Sequence, residues 1–195
     1  ANAFAMFGAK LVFVDIEPST MNIDLEAARR AITPKTKAIV AMHYGSVACD
    51  LDGFRLLCDE NNLFLVEDAA HCIGAKHLEK PIGLWGDFSA ISFDAQKNIS
   101  CGEGGVLLVK QKHHAGVEKG DENVTDKRAF DRGDIPLYSW QCIGSKFAIS
   151  EYDAAVLLPL LQKVAEITCE RRKAWDKLFE AVLNHNVLSA FLPKH

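Results

Sequence analysis

Leu63-Phe64-Leu65-Val66-Glu67-Asp68-Ala69-Ala70-His71 joins four apolar residues to two acids and two small residues. An apolar run this short reads as a strand buried on both faces of a parallel sheet. In open α/β sheets ligands sit just beyond the carboxyl ends of the strands, so the acids fall where a site belongs. The quieter reading of Asp68 is a cap on the segment that follows. Further on, Ser92-Phe93-Asp94-Ala95-Gln96-Lys97-Asn98-Ile99-Ser100-Cys101-Gly102-Glu103-Gly104-Gly105 repeats the pattern. An apolar run over 88–93 stops at a polar turn, and a glycine cluster leads into a second run over 106–109. This is strand, exposed turn, strand, with Lys97 displayed where the first strand stops. The glycines most simply supply turn conformations with positive φ.

A turn lysine is ordinarily a solvated charge, but its amine can also attack a carbonyl and form a Schiff base. A lysine and a carboxylate at the ends of two strands meet the needs of pyridoxal 5'-phosphate. The lysine carries the aldehyde, and the acid pairs with the protonated pyridine nitrogen so that the ring draws off electrons.

The flanking segments supply the rest of the architecture. Residues 1–8 read as the last turns of a helix ended by Gly8, and 10–16 as an apolar strand. Asp24 caps a helix over 25–32 with a charged face at Glu26, Arg29 and Arg30. A short buried strand over 38–42 and a helix over 52–61 lead to the strand at 63–66. This alternation predicts an α/β fold, a mostly parallel sheet flanked by helices in right-handed crossovers. A hairpin is expected around 76–82, strands over 88–93 and 105–109, and a charged surface loop over 111–140. Ser150, with Asp153 three residues on, opens one long amphipathic helix through about 183.

The 195 residues suffice for one domain with a real core, or one domain and a small appendage. A net charge of -4 provides no basic field for nucleic acid and no polybasic membrane patch. No apolar run is long enough to span a bilayer, and the start lacks a basic leader, so the reading is a cytoplasmic protein. Six cysteines are scattered without Cys-x-x-Cys spacing, which predicts reduced thiols and argues against a metal site.

Val66-Glu67-Asp68-Ala69-Ala70-His71, Ser92-Phe93 with Lys97, and Gly102-Glu103-Gly104-Gly105 resemble the DegT-type sugar-nucleotide aminotransferases, pyridoxal phosphate enzymes of fold type I. Thr20-Met21-Asn22-Ile23-Asp24, His43-Tyr44-Gly45-Ser46-Val47-Ala48-Cys49 and Arg128-Ala129-Phe130-Asp131-Arg132-Gly133 extend the match. They are most similar to the branch of dTDP-4-amino-4,6-dideoxygalactose transaminases. The resemblance implies an aspartate-aminotransferase-like large domain and amino transfer from L-glutamate to a dTDP-4-keto-6-deoxyhexose. It also implies active sites at a homodimer interface. By the same resemblance Lys97 carries the cofactor and shuttles the proton, and Asp68 holds the pyridinium. His71 contacts the phenolic oxygen and Ser92 the phosphate. Lys146 stands where many members place an asparagine that reaches the neighbouring subunit's phosphate, and Asp94 replaces a frequent histidine.

Two parts of the family's pattern have no counterpart here, an upstream phosphate-cradling turn and a downstream small domain. The chain therefore resembles a central fragment, with residues 1–149 as a partial cofactor-binding domain and 150–195 as a long helix leading toward an absent C-terminal domain. The alternative function is a non-catalytic remnant, an α/β domain that dimerises or binds a partner. A sugar-dehydratase relative would carry histidine in place of Lys97.

Overall fold

The computed structural model describes residues 1–113, 127–137, 139 and 148–185. Its centre is a four-stranded sheet of β1 (Ala38–Met42), β2 (Phe64–Asp68), β5 (Phe88–Ser92) and β6 (Gly105–Val109), in the order β1-β2-β5-β6. The first three strands run parallel and β6 returns antiparallel to β5. The connection between β5 and β6 contains no helix, and a parallel return needs a crossover of a dozen residues or more, usually helical. A two-stranded hairpin, β3 (Lys76–His77) with β4 (Lys80–Pro81), lies where expected. It turns through Leu78 and Glu79, both at positive φ, as the primed hairpin turns require.

The expected strand over 10–16 does not form. The segment makes one isolated bridge, Ile16 to Ile23, and Val12 and Phe13 are 64% and 82% exposed. Apolar composition makes a strand competent, but a neighbour must take its backbone N–H and C=O groups. Among the described residues, 22–24 pair with the end of the segment, the Asp24 N–H on the Asp15 carbonyl and the Glu17 N–H on the Asn22 carbonyl, and that is too short a partner for a ladder. Upstream, α1 is confined to Asn2–Ala5, and Gly8 follows at φ +80.

β2 also departs from expectation in extent and burial. It runs through both acids to Asp68, so the carboxylates occupy its last two positions instead of the loop beyond. Nor is it buried on both faces, because burial alternates along β1 and β2. One face, with Ile39, Ala41 and Leu65, packs under Phe54, Leu57 and Cys58 of α3 (Leu51–Glu60) and Ala28 of α2 (Leu25–Ala31). Burying a leucine or phenylalanine of this kind contributes about 1.5–3 kcal/mol. On the other face, Val40, Met42 and Phe64 are exposed, as is Leu107 on β6.

Local capping matches the sequence at two points. The Asp24 carboxylate accepts the Ala27 N–H, and the Ser150 hydroxyl oxygen accepts the Asp153 N–H at 3.1 Å. α3 begins one residue earlier than expected because Asp50, not Asp52, is its cap. Within the charged segment over 111–140, Lys127–Asp131 form a short helix, α4. The single long helix expected after Ser150 is two, α5 (Glu151–Gln162) and α6 (Val164–Leu183). Lys163 leaves helical angles at φ -106, ψ 11, with its N–H on the Leu160 carbonyl. Leu157 of α5 and Val164 and Ile167 of α6 pack on Phe93, Ile99 and Cys101. α6 approaches Gly74 so closely that a Cβ there would meet Thr168 Oγ1 at 2.7 Å.

Candidate active site

Beyond the carboxyl ends of the parallel strands lies a cleft of about 340 Å³. Lys97 lines it together with its neighbours Gln96 and Asn98. The lysine turn is pinned at both ends. The Lys97 N–H donates to the Asp94 carbonyl at 2.9 Å and the Gln96 N–H to Asp94 Oδ1 at 3.0 Å. Ile99, 2% exposed, plugs the turn into the cluster with Phe93 and Cys101. Gly102 closes it at φ +100, a backbone that side-chain-bearing residues rarely adopt.

His71 forms a second wall from a turn. Its ring meets Tyr44 edge-on at 6.4 Å between centroids, and its carbonyl accepts the Ser46 hydroxyl. Gly45 and Ser46 complete that wall from a single 3₁₀ turn, Tyr44–Ser46, both residues at positive φ. Asn22, itself buried, brackets this turn. Its side chain donates to the Val47 carbonyl at 2.9 Å and accepts the Tyr44 N–H at 2.8 Å. From across the cleft, Arg171 of α6 supplies the remaining side chain.

Asp68 and Ser92 stand at the ends of β2 and β5, outside the residues that line the cleft. The register pairs Asp68 with Ala90, two residues before Ser92, so both project from the open face of the sheet. Asp68 is half-buried and accepts the Ala70 N–H at 3.2 Å. Ser92 Oγ accepts the Asp94 N–H at 3.3 Å. Thus Lys97 and His71 share one cleft, while Asp68 and Ser92 occupy adjacent strand ends. Lys146 lies outside the described residues.

Sequence reasoning named Glu67 only as one of two acids at the strand end and gave it no role. Glu67 is fully buried and accepts bonds from His43 Nε2 at 3.1 Å, the Gly83 N–H at 2.9 Å, the Trp85 N–H at 2.6 Å and the Gly86 N–H. His43 Nδ1 in turn accepts the Cys49 N–H, so the Glu67-facing nitrogen carries the proton. Burial alone would raise the Glu67 pKa, but the His43 ring and the backbone donors outweigh it and hold the carboxyl below its ordinary value. The only sequence signal was an acid inside an apolar strand.

Asp87, 2% exposed, is the second buried acid. It accepts from Arg55 Nη1 at 2.9 Å and the Leu65 N–H at 3.0 Å, with Lys112 Nζ at 3.2 Å. Burial opposes its ionisation, yet these donors push its pKa well below the carboxylate range. Burial pushes the Cys49 and Cys72 thiols up to about 12. All five described cysteines are free thiols.

The sequence profile of the DegT/DnrJ/EryC1/StrS aminotransferase family matches residues 1–190. The chain is 36% identical over 176 residues to the Methanocaldococcus jannaschii protein named "Uncharacterized protein MJ1066", covering 88% of this chain and 45% of that one. Among solved structures, Helicobacter pylori PseC, an aminotransferase involved in the biosynthesis of pseudoaminic acid, superposes with a TM-score of 0.85 at 26% identity. That match covers 96% of this chain and 49% of that one. DesI, solved in the presence of its TDP-sugar product, gives a TM-score of 0.67 at 31% identity over 85% of this chain and 40% of that one. The chain spans about half the length of these relatives. The fold is that of the aminotransferase large domain, a mostly parallel sheet with flanking helices.

Proposed function

The chain belongs to the DegT/DnrJ/EryC1/StrS aminotransferase family, and from that premise we propose that its Lys97 cleft serves a pyridoxal-phosphate-dependent transamination of a nucleotide sugar. The observation that carries the reading is one amine and one imidazole, Lys97 and His71, on a single polar cleft beyond the parallel strand ends. The Asp68 carboxylate and the Ser92 hydroxyl on the adjacent ends complete a donor set suited to the cofactor. When bound, pyridoxal phosphate supplies an aldehyde that condenses with amines and a ring that stabilises a neighbouring carbanion.

Lys97 would hold the cofactor through its amine, and the same amine would move the proton to and from the sugar carbon that receives nitrogen. Asp68 would pair with the protonated ring nitrogen. His71 would contact the ring oxygen and Ser92 the phosphate, and Lys146 would reach the phosphate held by the neighbouring subunit. The proposed reaction moves the amino group of L-glutamate to a dTDP-4-keto-6-deoxyhexose. That DesI was solved in the presence of its TDP-sugar product supports the nucleotide-sugar class. The branch proposed within the family is the dTDP-4-amino-4,6-dideoxygalactose transaminases. We assign residues 1–149 to the cofactor-binding domain and 150–195 to the helical arm that leads out of it. The assembly proposed is a cytoplasmic homodimer.

Borohydride reduction after addition of pyridoxal phosphate tests this directly. A pyridoxyl mass gain on the Lys97 peptide, absent in Lys97→Ala, is the expected result. Equal labelling of both proteins, or none of either, would remove the assignment and leave a non-catalytic α/β domain.

A further inference from the structure

Arg171 belongs to no motif and sits in a helix segment, Glu170-Arg171-Arg172-Lys173, that reads as a solvated charged face. The structure separates it from its neighbours. Arg172 pairs with Asp176 at 3.5 Å and Lys173 with Glu170 at 2.6 Å, each along the helix surface. Arg171 has no ion-pair partner among the described residues and lines the Lys97 cleft instead. Its position follows from packing. The bare Gly74 backbone admits Thr168, and one helical turn further on Arg171 reaches the cleft.

The cleft's charge is unbalanced. Its lining holds two basic side chains, Lys97 and Arg171, with the His71 ring, the amides Gln96 and Asn98 and the Ser46 hydroxyl, and no carboxylate among the described residues. Lys97 likewise has no ion-pair partner among the described residues. A concave surface lined by basic groups without a facing carboxylate attracts an anion and concentrates it, and the Arg171 guanidinium keeps its charge whatever Lys97 does. The guanidinium adds a planar fork of donors that matches a carboxylate or phosphate in a way an ammonium does not.

We propose that Arg171 is an oxyanion-binding residue of the Lys97 cleft, taking a carboxylate or phosphate group of the ligand that reacts there; this rests on the transamination reading of the cleft. The group can come from a dicarboxylate amino donor, from the diphosphate of a nucleotide sugar, or from the cofactor phosphate.

The test measures the affinity of the full chain for three probes: glutarate, inorganic pyrophosphate and pyridoxal phosphate. The variants are Arg171→Gln, Arg171→Lys and Arg172→Gln. Loss of a charge-assisted bond predicts that Arg171→Gln binds at least one probe about ten- to a hundred-fold more weakly, with partial recovery in Arg171→Lys. The probe affected identifies the source of the oxyanion. Arg172→Gln, whose partner is Asp176, binds as the parent does. Unchanged affinity for all three probes in Arg171→Gln would overturn the proposal. So would equal losses in Arg172→Gln, or no anion binding by the parent chain. Borohydride labelling of Lys97 is measured alongside. Its failure with Arg171-dependent anion binding intact would sink the transamination reading and leave the anion site standing.

Discussion

Glu67 and Asp68 are adjacent carboxylates on one strand, and the pleat sends them to opposite faces of the sheet. Glu67 enters the covered face, loses all solvent and gathers four donors. Asp68 projects from the open face, stays half-buried and accepts one backbone N–H through its side chain. The first acid has spent its lone pairs on the protein's own loops at 43 and 83–86. The second keeps most of its capacity for something else. One strand end thus yields an anchor and an available ligand from the same chemistry, divided by side-chain parity alone.

Removing the anchor should do the most damage. Glu67→Ala strands the His43 ring N–H and the backbone donors of Gly83, Trp85 and Gly86. Each buried donor left without an acceptor costs about 1–3 kcal/mol, read as a fall in the urea midpoint. A loss below about 1 kcal/mol would erase the distinction drawn between the two acids.

Acid should act on the same anchor more gradually. The folded pKa values of Glu67 and Asp87 lie below their ordinary values of 4.5 and 3.8. Their stabilisation is therefore complete above the ordinary values and lost as pH falls through the folded ones. Unfolding free energy should decline steadily below about pH 5, with a shallower slope in Asp87→Asn. An unchanged slope in that variant would show that Asp87 contributes nothing to the acid limb.

The smallest effect on stability belongs to the available acid. Asp68→Asn keeps an oxygen acceptor for the Ala70 N–H and should shift stability by less than about 0.5 kcal/mol. The same variant should lose pyridoxal phosphate retention in equilibrium dialysis. A variant that unfolds readily yet retains the cofactor would reverse the roles of residues 67 and 68.

Much of the scaffold was legible because its signals are local. Asp24 and Ser150 cap helices through bonds three residues away, the runs at 38–42 and 105–109 form strands over those residues, and the run at 88–93 forms one that ends at 92. Lys97 could be singled out because it follows an apolar run, and His71 through the resemblance of its motif to the family's. Partners distant in sequence were not legible. His43 finds Glu67 and Arg55 finds Asp87 only after the strands align. The segment over 10–16 has strand composition, but strand formation is a property of two segments. Arg171 looked like any surface charge until the break at Lys163 and the bare backbone of Gly74 set where α6 lies.

The Asn22 clamp gives the cleft a kinetic character as well as a shape. The wall of Gly45 and Ser46 is tied through one buried amide to a loop at the other end of the β1 unit. Lifting that wall means rupturing both bonds and detaching residue 22 from its own turn. Opening is thus a small cooperative unfolding step with its own free-energy cost, set in part by a residue outside the lining of the cleft.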